Sequence, residues 1–149
     1  MTAKEYLMQV RRARLELRHV SDNLEELRTQ AEGIGAITYD KDAVQVSPAD
    51  HMSEVVIRLV EQEQKYAERV IFLHRIIDTI SRQIAAMPNP AHAEVLRLRY
   101  TVEWSETGMW TGIADRMGYT KGYAQHLHGE ALKSFGERYK GKLISFYPS

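Results

Sequence analysis

The residues predict an all-α protein, a long coiled-coil-like N-terminal helical hairpin followed by a shorter helical module. Two segments of the N-terminal half repeat apolar residues at alternating steps of three and four, which keeps one stripe on one face of a helix. Pro88-Asn89-Pro90 then breaks the pattern, because proline lacks the backbone donor and clashes with the preceding turn. Beyond it, glycine and threonine stand where shorter helices stop and start, giving about five or six helices in all. The expected division is a helical arm over residues 1–87 and a module over residues 91–149.

In the first helix, Val10, Ala13, Leu17, Val20, Leu24, Leu27 and Ala31 form the seam. Arg11, Arg12, Glu16, Arg18, Glu25 and Arg28 fill the other faces, and Gly33 and Gly35 are expected to end the helix. Residues 36–50 read as a loop, since Asp40, Asp42, Ser47, Pro48 and Asp50 are turn or cap types. Ala43 to Val46 is at most a short extended piece. The second helix, over residues 50–87, carries Met52, Val56, Leu59, Glu63, Tyr66, Val70, Leu73, Ile77, Ile80, Ile84 and Met87 on one stripe. Glu63 is its polar interruption, while Val55, Val60, Ile71 and Ile76 widen it enough to meet more than one surface. An antiparallel hairpin is expected. The residues leave two roles open for the stripes: core within one chain, or an arm for dimerisation or partner docking.

After the prolines, a helix over residues 91–102 carries Val95, Leu96, Leu98, Tyr100 and Val102, with Arg97 and Arg99 between. A polar turn follows at Ser105 to Gly108. The next helix, Met109 to Met117, places Trp110, Ile113, Ala114 and Met117 on one side. Gly118 ends it, and Thr120 caps a last helix over Lys121 to Tyr139. The run Ile113-Ala114-Asp115-Arg116-Met117-Gly118-Tyr119-Thr120 has the grammar of a helix-turn-helix. Small Ala114 admits a close helix crossing, and Gly118 can take the left-handed conformation of a tight turn. Thr120 satisfies orphan amides, and Tyr119 is expected to pack back into the module. Ala124, Leu127, Ala131 and Leu132 would face inward, leaving the other residues outward where a major groove would lie.

On these residues the chain resembles region 4 of bacterial housekeeping sigma factors, over residues 91–135. Val95-Leu96-Arg97-Leu98-Arg99-Tyr100 is similar to the helix that opens that region. A closer resemblance is to the phage ArpU-like late transcriptional regulators, which join a helical N-terminal part to a sigma-like module. It rests on Leu96-Arg97-Leu98-Arg99-Tyr100, on Trp110, Ile113-Ala114 and Met117-Gly118-Tyr119, and on Leu127-His128-Gly129 with Ala131-Leu132. The resemblance implies binding to double-stranded promoter DNA, contact with RNA polymerase, and activation of late genes. By position it implies base-facing roles for Lys121, Gly122, Tyr123, Gln125 and His126, at the helix start set by Thr120. Gln125 could bond adenine and Lys121 guanine or a phosphate. Gly122 and Tyr123 stand where sigma factors usually carry a glutamate and an arginine, so the sigma target sequence does not carry over. Arg116, Lys133, Arg138, Lys140 and Lys142 fit phosphate contacts, which position a module without specifying sequence. Two alternatives stay open: a small terminase-like packaging protein, and a module that binds RNA polymerase without touching DNA.

Composition restricts other classes. The chain has no cysteine, which rules out disulfides and thiolate metal sites. Its net charge is zero, divided as 12 Lys/Arg against 14 Asp/Glu in residues 1–90 and 8 against 6 in residues 91–149. No apolar run approaches the ~20 residues of a membrane span, and Met1 to Arg18 is too charged for a signal peptide, so a cytoplasmic protein is expected. No glycine-rich phosphate loop or nucleophile elbow is present, and neither enzyme activity nor a cofactor is expected. His126 and His128 lie two apart and cannot share a helix face, which argues against a metal pair. Trp110 reads as a core anchor, whereas Trp104 sits at a helix end with its role open. His128-Gly129 is expected to allow close helix packing. The apolar tail Leu143-Ile144-Ser145-Phe146-Tyr147 is expected to pack back onto the module or to meet another protein.

Overall fold

A computed structural model describes residues 1–37, 48–105 and 108–148, with the backbone alone for 33–37 and 48–53. Five helices are present among the described residues, and no strand: α1 Ala3–Ile37, α2 Pro48–Ala85, α3 Pro90–Thr101, α4 Met109–Met117 and α5 Lys121–Arg138. The all-α class follows. No helix among these residues is long and apolar enough to cross a membrane.

Each start has a local cause. Thr2 Oγ1 accepts from the Glu5 amide at 3.1 Å while the Glu5 carboxylate accepts from the Thr2 amide at 2.8 Å, a reciprocal cap on α1. The bond from Thr2 holds the Glu5 carboxyl below its usual range. Pro48 opens α2 and Pro90 opens α3, positions where the missing N–H would be an orphan anyway. Asn89 Oδ1 accepts from the amides of Ala91 and His92 and closes the start of α3. Helix α1 continues through Gly33 and Gly35 to Ile37 rather than stopping there. Glycine lowers helix propensity by about 1 kcal/mol but keeps its amide donor, so it weakens a helix without forbidding it. The expected extended piece at Ala43–Val46, and Met52 as a seam residue, lie outside what is described.

Packing divides the chain into two compact units. One holds residues 15–73, from the later part of α1 and the earlier part of α2. Within it, Glu16 meets Arg69 at 2.6 Å and Arg28 meets Glu63 at 3.5 Å, two ion pairs between α1 and α2. Val20 and Leu73 are buried, whereas Leu15, Val56, Ile57, Val60 and Ile71 are exposed.

The other unit holds residues 1–14 and 74–149. Here α5 packs on both α3 and α4, and α3 also meets α4. The core gathers Tyr6, Leu7 and Val10 of α1, Ile76, Ile80 and Ile84 of α2, Leu96, Leu98 and Tyr100 of α3, Ile113 of α4 and Phe135 of α5. Tyr6 donates to Gln83 Oε1 at 2.6 Å, and Tyr139 donates to the Gln83 carbonyl at 2.9 Å. The tail packs back, on the first turns of α1. Gln9 donates to the Ile144 carbonyl at 3.0 Å and accepts from the Phe146 amide at 2.8 Å, and Arg12 lies 3.7 Å over the Tyr147 ring.

Candidate nucleic-acid interface

Helix α4 ends because Gly118 takes φ +73°, ψ 30°, where an L side chain would be strained. Its amide bonds the Asp115 carbonyl, and the Tyr119 amide bonds the Ala114 carbonyl at 2.9 Å. The extended Thr120 then starts α5, its Oγ1 accepting from the Tyr123 amide at 3.2 Å. Three residues, Gly118 to Thr120, thus turn the chain from one helix into the next.

The inward face of α5 is Ala124, Leu127, Ala131 and Phe135, all buried, with Leu132 half-buried beside them. On α4, Ile113 and Ala114 are buried, and Trp110 and Met117 are half-buried. The eight residues singled out from the sequence all lie on the outside. Arg116, Thr120, Lys121, Gly122, Tyr123, Gln125, His126 and Lys133 are exposed. Arg138, Lys140 and Lys142 are exposed also.

Individual side chains differ in what they have free to offer. His126 Nε2 lies 3.1 Å from the Glu130 carboxylate one turn on, so its ring already has a partner. A Cβ built on Gly122 meets nothing within 4 Å, and the backbone there is open to close approach. Tyr119 does not pack into the core. It is 41% exposed and sets its ring against that of Tyr123 at 4.7 Å and 68°, with Tyr123 itself 49% exposed. The turn carries it past the buried end of α4, and four residues on it finds a ring on the first turn of α5. Gly129 corrects a second expectation: a Cβ there would meet nothing within 4 Å, so it faces solvent and allows no close packing.

His128, by contrast, is buried with the Tyr100 hydroxyl 2.8 Å from its Nε2 and the Trp110 ring 5.1 Å away edge-on. Burial pushes the imidazole down to about 4, with the cations Arg99 and Lys4 acting the same way. Burial also pushes the Tyr100 hydroxyl up to about 12, against the opposing pull of Arg99 and Arg11. Both groups are neutral at pH 7, and the pair is a structural bridge between α3 and α5.

Reasoning from residues alone missed a second grouping. Trp104 donates its indole N–H to the Leu98 carbonyl at 2.7 Å. Its ring lies so close over Gly112 that an added Cβ would sit 2.3 Å from it. The Arg116 guanidinium lies 4.7 Å from that ring's centre, a cation–π stack that orients an exposed cation. The available signal was a glycine inside a nine-residue helix, where propensity alone would favour alanine. Among the described residues no group of three or more His, Asp or Glu could hold a metal ion. No model of a known protein family, no curated protein and no solved structure matches the chain.

Proposed function

We propose that the chain is a DNA-binding regulator of transcription of the phage late-regulator kind, with α4, its turn and α5 acting as a helix-turn-helix. The observation that carries this reading is the division of α5 into two faces. Its apolar residues are spent inward, and Lys121, Gly122, Tyr123, Gln125 and His126 all stand outward from a capped helix start. That is the arrangement with which a recognition helix enters a major groove. Arg116 and Lys133, exposed on either side of that start along the sequence, serve as phosphate contacts. The helical arm, with its exposed Val60 and Ile71, serves self-association into a dimer.

Titrating the full chain into a labelled random-sequence duplex, at about 50 and about 200 mM salt, tests it. The expected result is saturable binding that weakens with salt. Arg116→Ala and Lys133→Ala each lower the log–log salt slope by about one. Absence of binding at the lower salt overturns the reading. The net charge of zero favours a second one, docking on RNA polymerase without DNA contact. Salt-insensitive capture of purified polymerase beside absent DNA binding would establish that instead.

A further inference from the structure

The exposed start of α5 offers little for reading bases by hydrogen bonds. Gly122 has no side chain, and His126 is engaged by Glu130. Lys121 and Gln125 remain as polar readers. What stands out from the first turn instead is a pair of rings. Tyr123 leans on Tyr119 in an edge-to-face contact, and Thr120 fixes the backbone beneath it. Such a contact holds both rings and limits the rotamer freedom lost on binding. The open space above Gly122 lets a partner come close enough to touch them.

The patch is too small for a protein partner. Two half-exposed tyrosines present on the order of 200 Å², whereas each side of a stable protein interface covers about 800 Å². In a groove, by contrast, the apolar feature that distinguishes one base from the rest is itself small: the 5-methyl group of thymine. The neighbours Lys121 and Arg116 supply the charge that a phosphate-lined groove requires.

We propose that Tyr123, backed by Tyr119, is a specificity-determining residue that reads thymine through its 5-methyl group. This rests on the DNA-binding reading above. Tyr119 is a positioning residue, acting through the ring it supports.

The test uses the full chain and two pools of duplexes with one random core, copied in parallel with thymidine or with deoxyuridine triphosphate. The second pool lacks only the methyl groups. The sequence enriched from the thymine pool is then made in both forms. The expected result is tighter binding of the thymine form, by about fourfold for each methyl covered. Tyr123→Ala removes that ratio, Tyr123→Phe keeps it, and Tyr119→Ala reduces it. The Tyr123→Phe result separates ring contact from hydroxyl bonding, and the ratio cancels any general effect of a variant on folding. Equal binding of the two forms, or a ratio that survives Tyr123→Ala, overturns the inference while leaving DNA binding intact. Failure to enrich any sequence from either pool overturns sequence reading itself, and the inference with it.

Discussion

At Gly112 one added carbon has a large consequence. The Trp104 ring occupies the space a Cβ would need, and its N–H is tied to the Leu98 carbonyl, so the ring cannot simply swing away. Gly112→Ala is expected to lower stability by about 1–3 kcal/mol by overpacking, despite the ~1 kcal/mol that alanine adds in helix propensity. Urea unfolding of the variant measures this, and an unchanged midpoint would remove the close contact from the account. His128 governs a different property. Its folded-state pKa lies near 4, below the ordinary 6.5. Above pH 6.5 neither the folded nor the unfolded chain holds the extra proton, and the stabilisation is fully present. As pH falls from 6.5 toward 4 the unfolded chain binds the proton first, so stability declines, by at most about 3 kcal/mol. Unfolding midpoints at pH 7, 6 and 5 check this. His128→Gln should flatten that part of the profile, and a parent profile already flat there would refute the assignment.

At the level of elements, the joint between α4 and α5 depends on two residues with separable contributions. Thr120→Ala removes the bond to the Tyr123 amide and should cost about 1 kcal/mol. Gly118→Ala meets no atom within 4 Å, so its cost, about 1 kcal/mol or more, comes from the left-handed backbone alone. Equilibrium unfolding of the two single variants and the double variant reads both contributions. A Gly118→Ala variant as stable as the parent would contradict the φ of +73°. This joint was legible in the sequence because caps act locally: a threonine, a glycine and a 3.6-residue apolar period fix where α5 begins and which face it buries. The start of α3 was legible to within one residue, because the break at Pro88-Asn89-Pro90 bounds it. What escaped depends on three-dimensional neighbours. Gly33 and Gly35 look like terminators but only weaken a helix. Tyr119 looks like core because it is large, yet the turn sends it outward to Tyr123. The Trp104–Gly112–Arg116 stack joins a residue of the segment after α3 to two on α4, which no local rule connects.

At the scale of the whole molecule, the described residues of the unit 15–73 lie on α1 and α2, and among them Val60 is 57% and Ile71 60% exposed. If those residues meet a second copy, Val60→Lys with Ile71→Lys should convert a dimer to a monomer in sedimentation equilibrium without loss of helix content. A parent chain that sediments as a monomer at tens of micromolar would refute the association. The proline triplet reads as a domain boundary and does end α2. Yet the unit that holds α3, α4 and α5 also takes in residues 1–14 and 74–87, so its parts are distant in sequence. The two bonds of the Gln9 amide close chain separations of 135 and 137 residues. A ribosome adding about 5–20 residues per second makes the partners of Gln9 roughly 7–27 s after Gln9 itself. For that interval the apolar faces of Tyr6, Leu7 and Val10 emerge with no tail to meet. Closure of this unit therefore waits until Ile144 and Phe146 have been made, and chaperones that hold exposed hydrophobic segments have their opportunity before then.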